Sequence, residues 1–280
     1  MTGADADAAT GTDAITTDTP TGSDATNDSP PVDAPPPRAM CDPGTRTGAS
    51  TGATGLATIG GARFLVRVPA GMYDATVGSP LVVMYAPAVA TGPQTESFTG
   101  FTAPARARGY LVAYVDHISP ASDAAIARAG EVPDAVAAQW CIDPARVYLT
   151  GHSDGGSLST LIAMRQLARV AAIAPSAAGL SDQNTARIMC RDPLAVMVMH
   201  SSGDMLFPLT RGFGAPVAQW WAQCAMCGTT PGGPESDGCV VYPTCAAGSE
   251  VRYCQGSSAH GVWPRLNESI LDFFDRFVAR

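Results

Sequence analysis

A chain of 280 residues with 46% hydrophobic and 15% charged residues carries enough apolar material for a substantial core, which excludes a wholly disordered protein. No stretch approaches the roughly 20 uninterrupted apolar residues of a membrane span, so none is expected. The formal charge of −8, with no Lys and no Arg-rich stripe, argues against nucleic-acid binding, which needs clustered cations to release counterions from phosphates.

Residues 1–40 hold seven Asp against one Arg and no aromatic residue, and end in Pro30-Pro31 and Pro35-Pro36-Pro37. Such a segment buries too little apolar surface to offset the entropy of ordering it. A solvated acidic linker rich in Thr, Ala, Asp and Pro is therefore predicted for 1–40, with one folded domain over 41–280. Met1-Thr2-Gly3-Ala4-Asp5 has neither the basic start nor the apolar segment of an export signal. Eight Cys nonetheless point away from a reducing compartment. The expectation is an extracellular, periplasmic or surface-tethered protein whose export signal lies upstream of Met1.

From about residue 60 short apolar runs alternate with helix-like stretches. Predicted strands are Arg63–Val68, Leu81–Ala86, Tyr110–Val115, Arg146–Thr150, Val170–Ala174, Leu194–His200 and Glu250–Cys254. Leu81-Val82-Val83-Met84 and Ala195-Val196-Met197-Val198-Met199 are apolar on both faces, as strands inside a parallel sheet are. Helices are predicted near 121–139, 156–166, 214–226 and 267–279, the last with Asn267 as its cap and Ile270, Phe274, Phe277 and Val278 on one face. This alternation predicts an α/β domain with helices on both faces of the sheet. Trp220 and Trp221 are expected in a helix core or at its rim.

Five of the eight Cys fall within residues 224–254, in a Gly- and Pro-rich span whose part 228–249 is predicted to be a loop held by disulfides. Cys224-x-x-Cys227 also suggests zinc or redox chemistry. A zinc site would show a second CxxC or paired His, and Cys239 and Cys245 lack that spacing. A thioredoxin-type pair would follow an N-terminal strand, whereas this one comes late. Structural disulfides are the favoured reading; the pairing is open, and no metal or other cofactor is expected.

The most specific signal is Val147-Tyr148-Leu149-Thr150-Gly151-His152-Ser153-Asp154-Gly155-Gly156. A Gly-x-Ser-x-Gly between a strand and a helix puts Ser153 on a tight, strained turn. There its hydroxyl is exposed and the helix N-terminus faces developing negative charge. A Ser nucleophile needs a base, and the chain has four His. His152 adjoins Ser153 and cannot easily reach back. His117 precedes the nucleophile, and His200 ends a buried-looking strand. His260, between the last predicted strand and the last helix, is the candidate base. Asp204, in the turn after strand 194–200, is the candidate orienting carboxylate; Asp182 and Asp192 do not directly follow a strong strand. Trp263 is a candidate for the acyl or leaving-group pocket, ordinary loop packing being the alternative.

In order, Pro80-Leu81-Val82-Val83, Cys141 through Gly156, His200-x-x-x-Asp204-x-x-x-Pro208, the Trp-containing run ending at Cys227, His260-Gly261-Val262-Trp263-Pro264 and Ile270-Leu271-Asp272-Phe273-Phe274 resemble one family. It comprises the α/β-hydrolase esterases grouped as polyhydroxybutyrate depolymerases and related feruloyl or acetylxylan esterases (carbohydrate esterase family 1). The resemblance covers residues 60–279. It implies an α/β-hydrolase fold with a mostly parallel central sheet, and a Ser153–His260–Asp204 triad hydrolysing carboxylic esters, usually after secretion. Polyester oligomers such as those of hydroxybutyrate come first as substrates, and feruloyl or acetyl esters on polysaccharide are the alternative. A non-catalytic extracellular binding protein on a hydrolase scaffold is the reading from another class. A serine peptidase is a lesser one, since 240 residues leave little space for its usual extra domain.

The chain departs from the family at one place. Members usually follow the strand at 81–86 with His-Gly, whose loop supplies the second oxyanion-hole amide, whereas here Ala86-Pro87 stand there. Pro87 has no N–H to donate. The expected donors are the Asp154 amide and the Ala88 amide, with the Tyr85 hydroxyl a weaker option; Tyr85 is also a candidate pocket residue.

Overall fold

The computed structural model describes residues 37–46, 48, 55–59, 61–69, 71 and 73–279. Residues 1–36, most of the predicted linker, lie outside them. The compact unit begins at Pro37. Its first ties to the domain are a bridge between Met40 and Val77 and the disulfide from Cys41 to Cys141.

Nine strands form one sheet among the described residues. Strands β1 (Gly55–Ile59) and β2 (Ala62–Arg67) pair antiparallel, and β3 (Ser79–Tyr85) follows. Helices α1 (Gly92–Thr99) and α2 (Thr102–Ala107) lead to β4 (Leu111–Val115), and α3 (Asp123–Gly130) and α4 (Val132–Ala137) lead to β5 (Ile142–His152). Then come α5 (Asp154–Arg165), β6 (Ala172–Ser176), α6 (Asp182–Thr185), β7 (Ala195–Ser201), α7 (Ala215–Cys224), β8 (Cys239–Tyr242), β9 (Val251–Gly256) and α8 (Asn267–Phe274). The spatial order is β1-β2-β4-β3-β5-β6-β7-β9-β8. The six strands from β4 to β9 run parallel, and antiparallel pairs close both edges.

The two-residue period of the strands divides the core between the faces. Leu81, Val83 and Tyr85 of β3, Ala113 of β4 and Val196 and Val198 of β7 pack with Ile126, Leu158, Ile162 and Trp221 from the helices of one side. Their neighbours Val82, Met84, Val112, Tyr114, Met197 and Met199 pack with Phe101, Ala105, Ile270 and Phe274 on the other. Every residue of β3 is buried, as a strand covered on both faces requires.

Several elements differ from expectation. The helix predicted over 121–139 is two, because Pro133 at the start of α4 lacks the N–H a continuous helix would need. Helix α8 ends at Phe274, short of Phe277 and Val278, and Leu266 occupies its cap position. Asn267 does not cap it. Its side chain accepts from Trp263 Nε1 at 2.8 Å and donates to the Thr99 carbonyl at 2.9 Å. The span 228–249, predicted as loop, contains β8, which pairs with β9 so that Cys239 faces Cys254, and these two are bonded. Trp221 is buried and Trp220 partly so.

No cysteine is free among the described residues. Cys224 pairs with Cys190 and Cys227 with Cys245, so the CxxC residues staple two different segments to the end of helix α7 and to the turn after it instead of forming a joint zinc or redox site.

Candidate active site

Strand β5 runs to His152 and helix α5 begins at Asp154, leaving Ser153 alone in the turn. Its φ of 56° and ψ of −117° lie where a side chain is strained, as an elbow between strand and helix demands. The neighbouring glycines are needed for space. A Cβ on Gly155 would stand 2.0 Å from the Tyr85 carbonyl oxygen, and one on Gly151 would stand 2.6 Å from the same atom. The elbow thus packs directly on the end of β3 and on the loop that leaves it. That contact sets Ser153 and the 86–90 loop side by side.

Residues far apart in the chain converge on this turn. His260 follows β9, and Asp204 follows β7, two strands that end on the same side of the sheet as β5. His260 Nδ1 donates to Asp204 Oδ2 at 2.7 Å, which leaves Nε2 to accept from the Ser153 hydroxyl at 2.9 Å. Asp204 is fully buried. Its other oxygen accepts from the Leu206 and Phe207 amides at 2.9 and 2.8 Å. Burial pushes its pKa up, but the His260 hydrogen bond, the Phe207 amide and the imidazoles of His260 and His200 outweigh that and hold it below the ordinary carboxylate range. Phe207 also packs edge-on against His260, with ring centroids 5.1 Å apart. The Asp204 rivals lie in other networks: Asp182 accepts from the Gln183 amide and Asp192 from the Gln166 side chain.

His152, set aside as a base on its adjacency to Ser153, has a different place. Its Nε2 donates to the His260 carbonyl at 2.6 Å and its Nδ1 accepts from Ser176 Oγ at 3.1 Å. It holds the main chain of the His260 loop. No spacing rule in the sequence signalled this; only the packing of the loop onto the elbow reveals it. Burial lowers its pKa to about 4, the hydrogen bond to His260 opposing and the His260 charge adding to the effect. In an unfolded chain its pKa would be 6.5. Below that value the unfolded chain takes up a proton that the folded chain refuses. The stability His152 contributes is therefore complete above pH 6.5 and is lost as pH falls toward 4, by roughly 3 kcal/mol. His200, buried and donating to the Phe207 carbonyl at 2.8 Å, is shifted the same way by burial. Thermal denaturation of wild type and His152→Gln at pH 7 and pH 4 checks this. The variant should lose less melting temperature over that interval, and an unchanged pH dependence would refute the assignment.

Tyr85 is corrected. It is completely buried, and its hydroxyl donates to the Ala129 carbonyl at 2.7 Å on the far side of β3. It shares the strand face of Leu81 and Val83, so it neither lines the pocket nor supplies an oxyanion donor. Trp263 is 7% exposed. Its ring meets Phe98 and His152 edge-on at 6.4 and 6.2 Å. Ala88 is exposed in a turn closed by the Ala90 amide donating to the Pro87 carbonyl at 3.1 Å.

A cavity of about 460 Å³ is bounded by the ends of β6, β7 and β9 and by the loop 257–266, with Asp204, His260, Val262 and Trp263 in its wall. Apolar side chains stand out in the loops nearby: Val89 is 91% exposed, Met205 86%, Leu206 60% and Val262 48%.

No family model matches the chain. Among curated proteins it is similar to feruloyl esterase B of Piromyces equi, 24% identical over 222 residues that cover 69% of this chain and 41% of that protein. The chain thus spans less than half the length of that relative. Among solved structures it resembles an acetyl xylan esterase from Aspergillus awamori (TM-score 0.59, 14% identity, covering 80% of this chain and all of that one). It also resembles FphF, a fluorophosphonate-binding serine hydrolase of Staphylococcus aureus (0.57, 13%, 80% and 99%), and a thermostable esterase (0.56, 15%, 81% and 62%). This likeness, together with the order of the sheet, shows that the chain has the α/β-hydrolase fold.

Proposed function

We propose that the protein is a serine hydrolase acting on carboxylic esters, with Ser153, His260 and Asp204 as its catalytic triad. The observation that carries this reading is the continuous hydrogen-bond chain from the Ser153 hydroxyl through His260 to buried Asp204. Ser153 attacks the ester carbonyl as His260 Nε2 takes the hydroxyl proton. The imidazolium, stabilised by ionised Asp204, then protonates the departing alcohol. Water, activated by the same imidazole, attacks the acyl-enzyme and frees the acid. Negative charge on the carbonyl oxygen is met by the Asp154 amide at the N-terminus of the twelve-residue helix α5 and by the Ala88 amide, which replaces the donor that Pro87 lacks.

Two ester classes have support. The similarity to a feruloyl esterase favours hydroxycinnamoyl or acetyl esters on polysaccharide. The exposed Met205 and Leu206 immediately after Asp204, with Val262 two residues after His260, suit an apolar acyl group and favour hydroxyalkanoate oligomers. Hydrolysis of methyl ferulate, acetylated xylan and hydroxybutyrate oligomers, compared side by side, separates them. Four disulfides support a site of action outside the reducing cytoplasm, and no helix among the described residues is long and apolar enough to cross a membrane.

A fluorophosphonate probe tests the triad. Wild type should be labelled and should cleave a short p-nitrophenyl ester. Ser153→Ala should lose the label and roughly a millionfold in kcat. Unlabelled wild type with no turnover would leave the binding-protein reading standing instead.

A further inference from the structure

Beyond the triad, a second histidine faces the elbow. His117, just past the end of β4, donates from Nε2 to Asp154 Oδ2 at 2.9 Å, both side chains being about a quarter exposed. The main chain of the same residue donates to the Ala90 carbonyl at 2.9 Å. Its neighbour Asp116 accepts from the Gly92 amide at 2.7 Å. Asp154 and the loop 86–92 are the two halves of the oxyanion hole proposed above, and both are tied to the dipeptide Asp116-His117.

We infer that His117 is a positioning residue that clamps the two halves of the oxyanion hole; the inference rests on the proposed esterase reading. The need for a clamp follows from two features of this chain. Pro87 removes the donor that the loop would otherwise present, so the Ala88 amide must be held in register from outside the turn. Asp154 also carries a carboxylate at the first helical position, beside the amides that an oxyanion requires. Through that carboxylate the His117 hydrogen bond holds the first turn of α5, and with it the Asp154 amide, in place. Donors held in place before the reaction are worth most in the transition state and little in the ground state.

The test compares wild type, His117→Ala, His117→Gln, Asp154→Ala and the Ala/Ala double variant on p-nitrophenyl butyrate, with melting temperatures measured in parallel. His117→Ala is expected to lower kcat by about ten- to a hundredfold, the range a misplaced donor costs, with KM within about threefold. The affinity for a trifluoromethyl ketone, which forms a tetrahedral adduct with the nucleophile, should fall in proportion to kcat/KM. His117→Gln, which can still donate at the Nε2 position, should recover most of kcat. Asp154→Ala should match His117→Ala, and the double variant should lose no more than either single one. If His117→Ala fails to fold, Asp154→Ala, at a side chain about a quarter exposed, carries the comparison alone. Turnover by His117→Ala or Asp154→Ala within twofold of wild type would overturn the clamp while leaving the esterase reading intact. So would a Gln variant as slow as the Ala variant, or a loss confined to KM. Wild type with no Ser153-dependent turnover would overturn both.

Discussion

Asp204→Asn is expected to lower kcat by roughly four orders of magnitude while leaving KM nearly unchanged. The wild-type carboxylate accepts on both sides, from His260 Nδ1 and from the Leu206 and Phe207 amides. An Asn side chain can keep its oxygen on those two amides, and its NH₂ group then points at His260. The imidazole answers with the other tautomer, accepting at Nδ1 and carrying its proton on Nε2, which faces Ser153. A protonated Nε2 cannot take the hydroxyl proton. The fold survives because Asp204 is buried with every hydrogen bond replaced in kind. Steady-state kinetics with p-nitrophenyl butyrate and a melting curve check both halves of the claim. A loss of less than about tenfold with the fold intact would show that Asp204 does not orient the base.

Gly155→Ala has the second large effect, and it acts on stability and turnover together. The new methyl would lie 2.0 Å from the Tyr85 oxygen, 2.6 Å from its carbonyl carbon and 3.0 Å from the Ala86 oxygen. All three are main-chain atoms of a buried strand end, so no side-chain rotation relieves the overlap. Either α5 or the end of β3 must move, and both frame Ser153. The expected cost is about 3 kcal/mol or more, at the top of the range for overpacked sites. In a domain of this size that corresponds to a fall of roughly 6–12 °C in melting temperature. Turnover should drop about a hundredfold or more, because a displacement of 1 Å at the elbow misplaces both the nucleophile and the Asp154 amide. A Gly155→Ala protein that melts and turns over like wild type would remove the steric account of the motif.

The predictions differ in how much sequence alone supports them. Ser153 and its glycines were legible because the elbow is local: the strain at one residue and the spacing of two small neighbours are written within five positions. His260 and Asp204 were legible through chain order, since residues just past the ends of parallel strands gather on one edge. From the sequence His152 and His117 are recognisable only as poor candidates for the base. Their partners, the carbonyl of residue 260 and the carboxylate of residue 154, show what they do, and in neither case does residue type reveal the partner. The place of Tyr85 in the core, away from the expected pocket, does have a signal in the sequence. The two-residue period sets it with Leu81 and Val83 on the face that packs against α3 to α5.

Continuous apolar runs such as 81–84 and 195–199 determined a parallel sheet covered on both sides, because only a doubly buried strand can lack a polar face. Composition likewise marked the acidic N-terminal stretch and the wealth of cysteine. Only the tertiary structure decided which cysteines pair, that residues 239–242 form an edge strand, and what the two spare histidines hold. Each of these is an energy shared between segments remote in sequence. A disulfide to Cys254, a strand ladder to β9 or a hydrogen bond to a distant carbonyl leaves no periodicity in the segment that receives it.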